Sequence, residues 1–372
     1  MGLSFNNGSF IPGTSYIMPK FRVKSELERR RRFDSMNSKA VRNLESELRR
    51  FESVMADVAQ VYDVEILADY VYIVRPKTTA PVTDGRDVDL TLSALIHGVE
   101  VAGLSVLVET LSLVTSGRCP LTLRLGIALG NIAAARQQKR FVERDLNRSF
   151  GRQDVSTMEG RRALDLERLF GRSRYLLDFH QVKLACDRPF WIFPYKKSGF
   201  AFARAVAPDI AVVTHWGKGF SADGKCSDEW TNHSGGAGVT IELGQNGFDE
   251  AQIARGVTVA KRAVAVAELL TRGGGLVDEA GPKAPVYTWA EIVPYPETGA
   301  PVLDAGWHNF RVVNRGQRLG SFNGQDICAP ATGPVLFPKY PDPTADGRYG
   351  SERPAAELIR ILRAIDEADL PS

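Results

Sequence analysis

Residues 88–130, VDLTLSALIHGVEVAGLSVLVETLSLVTSGRCPLTLRLGIALG, read as a buried strand, a helical stretch from about Val99 to Val114, and a second buried strand. Apolar strands separated by helical segments are the signature of an α/β fold. The pattern extends both ways. Upstream lies the apolar segment EILADYVYIV (65–74). Downstream come a helix carrying Leu164, Leu166, Leu169 and Phe170, the strands YLLDF (175–179), AVVTH (211–215) and VTIEL (239–243), and a helix from about Asp249 to Leu270. The glycines of TRGGG (271–275) supply a stop and linker there. Beyond Gly281, short extended pieces punctuated by Pro and Gly (VYTWAEIVPYP, FRVVNRGQRLGSF, ICAPATGPVLFP) predict a small all-β subdomain.

Residues 19–61 are charged, and from Val41 apolar residues recur at Leu44, Leu48, Phe51, Met55 and Val58, steps of three and four that predict an amphipathic helix. The preceding cluster ELERRRRF (26–33) could meet an acidic partner or RNA, but a charge run of this kind is usually a solvated face. A net charge of +3 over 372 residues gives no general case for nucleic acid or membrane as partner. The four cysteines are far apart and form no C-x-x-C pair, so a reducing cytoplasm is expected and neither a zinc finger nor a disulfide framework is. The amino terminus lacks a signal-peptide pattern, and no long uncharged apolar run suggests a membrane span.

The strongest chemical signal is ALIHGVE (94–100), where a buried strand ends in His97 with Glu100 three residues on. Catalytic zinc takes three protein nitrogen or oxygen donors and keeps a fourth position for water, so one more partner is required. The candidates are His180, His215, His233 and His308. His180 is favoured because it ends the strand YLLDFH, and Asp178, two residues before it on the same side, could back it. His215 also follows an apolar run and is the closest rival. Glu242 ends an otherwise apolar strand, where it either pairs with a cation or serves as general base. Arg140, Arg144, Asp145, Asn147 and Arg148 gather in RFVERDLNRSF (140–150), and arginine forks suit a carboxylate-bearing substrate, although a salt-bridged loop is the simpler account. There is no G-x-S-x-G elbow, and the GGG opens no phosphate loop.

Taken in order, HGVE, GNIAAARQQKRFVERDLNRSF (130–150), DFH, IELG and the late β segment resemble the succinylglutamate desuccinylase and aspartoacylase family, a branch of the zinc-carboxypeptidase fold. The resemblance implies a mixed sheet flanked by helices, one Zn2+ held by His97, Glu100 and His180, and Glu242 activating water and protonating the leaving amine. It also implies that Asn147 and Arg148 face the substrate and that Arg140 polarises the scissile carbonyl. Tyr287 and Tyr295 lie in the region from which some members contribute a tyrosine. Aspartoacylase-like members carry an arginine about ten residues before the catalytic glutamate, where TNHSGGAGVTIELG (231–244) has Asn232, so an N-acetylaspartate preference is not expected.

The expected organisation is an amino-terminal extension over 1–80 with the basic helix and first strand, a zinc hydrolase domain over 81–272, a β subdomain over 281–345 and a tail over 346–372. The expected activity is zinc-dependent hydrolysis of the amide of an N-acyl amino acid or related small molecule. The alternatives are a metallocarboxypeptidase or peptide amidase on the same fold, and a non-catalytic binding protein acting through the amino-terminal helix. A homo-oligomer is compatible with all three.

Overall fold

Leu48, Phe51, Met55 and Val58 form the buried stripe of helix α1 (Leu44–Val61), whose start Asn43 caps by accepting the Ser46 backbone N–H at 3.0 Å. The computed structural model describes residues 42–77, 86–186, 188–221, 224–275, 283–296, 301–340 and 357–372. The ELERRRRF cluster lies outside them. The segment EILADYVYIV makes two strands, β1 (Asp63–Ala68) and β2 (Val71–Arg75), paired antiparallel. The reversal falls at Asp69 and Tyr70, and Tyr70 takes a left-handed φ of 57°. No glycine marks that turn, so the apolar run reads as continuous.

The principal sheet has the order β1-β2-β4-β3-β5-β8-β6-β7-β9-β15-β14-β11. Its centre is parallel: β4 (Leu125–Leu129), β3 (Val88–Ala94), β5 (Ser173–Val182) and β8 (Ala237–Gln245) all run one way. Next to β8, β6 (Phe190–Pro194) runs antiparallel, and β7 (Ala211–His215) and β9 (Val286–Pro294) follow its direction. The edge is completed by β15 (Glu357–Ile365), β14 (Gly333–Leu336) and β11 (Val312–Val313), while β10 (Val302–Leu303), β12 (Arg318–Phe322) and β13 (Gln325–Cys328) form a separate three-stranded sheet. The late segments therefore both extend the main sheet and build a small one of their own.

One core packs α1 with α2 (Ala102–Thr115), α5 (Lys197–Val206) and α7 (Glu250–Thr271), burying Phe51, Leu107, Leu111, Phe202 and Val259. A second core forms around α4 (Met158–Phe170), with Leu166, Phe170, Ile73 and Leu176 buried and Trp230 of α6 (Ser227–His233) packed against them. The central strands are covered on both faces, which is why they read as nearly unbroken apolar runs. No described helix is long and apolar enough to cross a membrane.

An ionic cluster pins β1 and β2 to the amino ends of β3 and β5. Arg172 Nε donates to Asp87 Oδ1 at 2.7 Å, Arg172 Nη1 to Glu65 Oε1 at 3.1 Å, and Arg75 Nη2 to Asp87 Oδ2 at 3.1 Å. Hydrogen bonding from Arg172, then Arg75, holds the Asp87 carboxyl down at about 2 against its partial burial. A carboxyl lowered on folding contributes stability above its unfolded pKa of about 3.9 and loses it as pH falls toward the folded value. Asp87→Asn is therefore expected to lower unfolding free energy at pH 7 by about 1–2 kcal/mol after allowing for solvent screening. The gap to wild type should close between about pH 4 and 2. Denaturant melts across that range check it, and a gap that stays constant would remove the cluster's role.

Candidate metal centre and its surroundings

Because β3, β5 and β8 are parallel, their carboxyl ends share one rim of the sheet, the place where open α/β sheets put ligands. The chain leaves β3 at Leu95 with a left-handed φ of 59°, and His97 and Glu100 follow in the loop. Gly98 has no room for a side chain, since a Cβ there would lie 2.2 Å from the Ala135 backbone nitrogen. Its N–H donates to the Arg140 carbonyl at 3.0 Å, so the approach that demands glycine also brings Arg140 to the rim.

His97 Nδ1 lies 2.7 Å from Glu100 Oε1, and His180 Nδ1 lies 2.9 Å from Glu100 Oε2. One donor atom from each of the three falls within 4.8 Å of the others, and all three side chains are buried. Each outer imidazole nitrogen meets a carboxylate: His180 Nε2 is 2.9 Å from Asp178 Oδ2, and His97 Nε2 is 3.1 Å from Asp145 Oδ1. Such backing turns each Nε2 toward a carboxylate and directs both Nδ1 atoms at Glu100. Two imidazoles and a carboxylate, each oriented from behind, suit a divalent cation and in particular zinc. Glu242, paired in register with His180, keeps a buried Oε2 with no hydrogen-bond partner. That orphaned oxygen fits a site built around a group the protein side chains do not themselves supply.

Burial, then the charge of Glu100, pushes the Glu242 carboxyl up to about 8. Burial acts the same way on Glu100, but His97 and His180 together outweigh it and hold that carboxyl well below its ordinary range. In His180 burial is outweighed by Asp178 and Glu100, which raise it well above its ordinary value. Two carboxyls at one rim thus differ in character, Glu100 as a fixed anion and Glu242 as a group able to exchange a proton near neutral pH.

The arginine-rich loop is held by Glu159, in the first turn of α4, which accepts the backbone N–H groups of Val142, Glu143 and Arg144 at 2.7, 3.2 and 3.2 Å. Asp145 caps a single 3-10 turn, Leu146–Arg148, accepting the Asn147 N–H at 2.9 Å. Arg140 Nη1 donates to Glu100 Oε1 at 3.2 Å, and its Nε and Nη2 donate to Asp145 Oδ2, each at 3.3 Å. Asn147 Oδ1 accepts the Ser227 N–H at 2.9 Å. Arg148 Nη1 donates to the Asn147 carbonyl at 2.6 Å and approaches Cys226 Sγ at 3.1 Å, with its guanidinium 5.1 Å from the Phe220 ring centre.

The remaining candidates lie elsewhere. His215 ends β7, whose carboxyl end points away from the rim because β6 reverses direction next to β8. His233 ends α6, and His308 Nδ1 lies 3.1 Å from the Asn309 carbonyl. Asn232 accepts the Gly238 N–H at 2.9 Å and lines a cavity of about 540 Å³ with Pro194, Tyr195, Lys196, Glu229 and His233. None of His97, Glu100, His180 or Glu242 lines that cavity. Tyr287 packs on Phe310, and Tyr295 is buried with Leu303 and Trp307 in a separate small core. Sequence reasoning gave no role to Asp145 or Glu159; the Asp one residue before a short turn is a capping signal that could have marked Asp145.

The fold and the buried cluster define an α/β protein with a candidate metal centre at the ends of its parallel strands. The family model described as Succinylglutamate desuccinylase/Aspartoacylase catalytic domain matches residues 86–267. A succinylglutamate desuccinylase of Serratia proteamaculans is 34% identical over 172 residues, 42% of this chain and 51% of that protein. One from Pseudomonas putida is 40% identical over 119 residues, 29% of this chain and 36% of that protein. The chain thus matches about half the length or less of these relatives. Among solved structures, the succinylglutamate desuccinylase of Vibrio parahaemolyticus superposes with a TM-score of 0.61 at 16% identity, over 84% of this chain and 95% of that one. Murine aminoacylase 3 does so at 0.54 and 18%, over 75% and 96%. At these identities the superpositions speak for the fold.

Proposed function

We propose that the chain is a metal-dependent deacylase that hydrolyses the amide of a small N-acyl amino acid. The observation that carries this reading is the buried His97–Glu100–His180 cluster with the unpartnered Glu242 oxygen beside it. Relatives named succinylglutamate desuccinylase support the reaction class. When bound, a divalent ion, for which this donor set favours zinc, supplies Lewis acidity and makes water a nucleophile near neutral pH. Asp178 and Asp145 orient the two imidazoles. Glu242 Oε2 accepts the proton of the attacking water and returns it to the leaving amine. Arg140 polarises the scissile carbonyl and stabilises the developing oxyanion, while Asn147 and Arg148 hold the substrate, Arg148 by its α-carboxylate. The four cysteines, far apart in the sequence with no C-x-x-C pair, fit a reducing, cytoplasmic location.

Free acyl amino acids and short peptides assayed side by side test the proposal, with amine release expected from the former. Faster cleavage of peptides would favour a carboxypeptidase on the same fold.

Asn232, tied to the Gly238 N–H, offers no cation for an acidic side chain. N-acyl derivatives of neutral or basic amino acids are therefore expected to be cleaved faster than N-acetylaspartate, and Arg148→Ala to weaken them by several kcal/mol of transition-state binding, on the order of a hundredfold or more. Steady-state kinetics on matched substrates check both statements. A clear kcat/KM preference for N-acetylaspartate contradicts the first, and equal turnover of α-amide analogues contradicts the second.

A further inference from the structure

Ser227, the first residue of α6, has no part in the proposed chemistry, yet it is wholly buried and touches both sides of the site. Its hydroxyl donates to Asp178 Oδ2, the same oxygen that meets His180 Nε2 at 2.9 Å. Asp178 Oδ1 is buried and has no hydrogen-bond partner among the described residues, so the serine hydroxyl and the imidazole are what hold that carboxylate. The Ser227 backbone N–H donates to Asn147 Oδ1 at 2.9 Å. That bond assigns the amide, because an N–H needs an acceptor: Oδ1 faces α6, and Nδ2 is the end left to donate to a ligand.

Followed from atom to atom, these bonds close a ring around the centre. Glu100 joins His97 and His180 through its two oxygens. Behind His180 stand Asp178 and Ser227, and behind His97 stands Asp145, whose Oδ1 also accepts the Asn147 N–H at 2.9 Å. The bond from Ser227 to Asn147 completes the circuit. Ser227 is thus the joint between β5, which carries His180, and the loop that carries Asn147 and Arg148. The helix itself does not depend on the hydroxyl for its seat: Glu229 Oε2 accepts the Cys226 N–H at 2.9 Å, and Asp228 Oδ2 accepts the Thr240 hydroxyl at 2.8 Å. What the hydroxyl holds is Asp178. A hydrogen bond to a buried carboxylate is a strong one, and without it Asp178 is less firmly directed at the imidazole it supports.

We propose that Ser227 is a positioning residue of the metal centre, its hydroxyl holding Asp178 against His180 and its N–H tying that support to the Asn147 loop. The inference rests on the metal-centre part of the deacylase reading. It is tested on the full chain with zinc alone, by competition with a chromophoric chelator. Ser227→Ala is expected to weaken zinc binding about tenfold, the lower end of the roughly 10–100-fold that loss of a partner behind a metal-bound histidine costs. In an Asp178→Ala background the same substitution should cost nothing further, because the route to the imidazole is already cut. A merely structural role would weaken zinc binding equally in both backgrounds. Ser227→Cys, which keeps the volume and is a weaker donor, serves if the alanine variant does not fold. Wild-type zinc affinity in the Ser227 variants, or the same loss with and without Asp178, overturns the inference and leaves the metal centre in place. A wild-type chain that takes up no zinc overturns the metal reading and this inference with it.

Discussion

Glu242→Gln is expected to keep the fold and any bound metal while losing about 10²–10⁴-fold in turnover. The substitution is isosteric, and the residue contributes no donor atom to the cluster of His97, Glu100 and His180. What it removes is a proton acceptor at the buried Oε2, which no other described side chain satisfies. An amide oxygen can accept a hydrogen bond there but cannot take the proton and hand it to the leaving amine. Turnover of protein with verified metal content is the measurement. Near-normal turnover would return Glu242 to the role of a buried structural carboxylate.

His180→Ala is expected to empty the centre. The variant loses Nδ1, 2.9 Å from Glu100, and also the partner of Asp178, leaving that carboxylate buried without its imidazole. Removing only the support, in Asp178→Asn, should weaken metal binding less, by about 10–100-fold. His215→Ala should bind metal as wild type does, because β7 carries that ring to the opposite end of the sheet. Elemental analysis of the purified variants distinguishes these cases. Metal retained by His180→Ala and lost from His215→Ala would reverse the choice of third ligand.

The difference between those two histidines shows where sequence reasoning stops. Both follow apolar runs, YLLDFH and AVVTH, and locally only Asp178, two residues before His180, separates them. The separation comes from β6 pairing antiparallel to β8, a tertiary fact. Asp178 and His180 were legible because strand side chains alternate, and α1 was legible because its stripe repeats at helical spacing. The hairpin inside EILADYVYIV was not, since Tyr70 turns the chain without a glycine or proline to mark it. Nor was β15: in ELIRILRAI the apolar residues fit a helical stripe as well as a strand, and only pairing along β9 makes it extended. Asp145, Glu159 and Ser227 belong to the same class, polar residues whose partners lie far off in the chain or in turns that form only with the fold.

Free-amine release from a panel of N-acyl amino acids, followed before and after chelation and again after zinc is returned, tests the central claim most directly. The expected result is hydrolysis by the metal-loaded protein, its loss when the metal is stripped, and its recovery with zinc. No release from metal-replete protein, or release undiminished after the metal is gone, would contradict it.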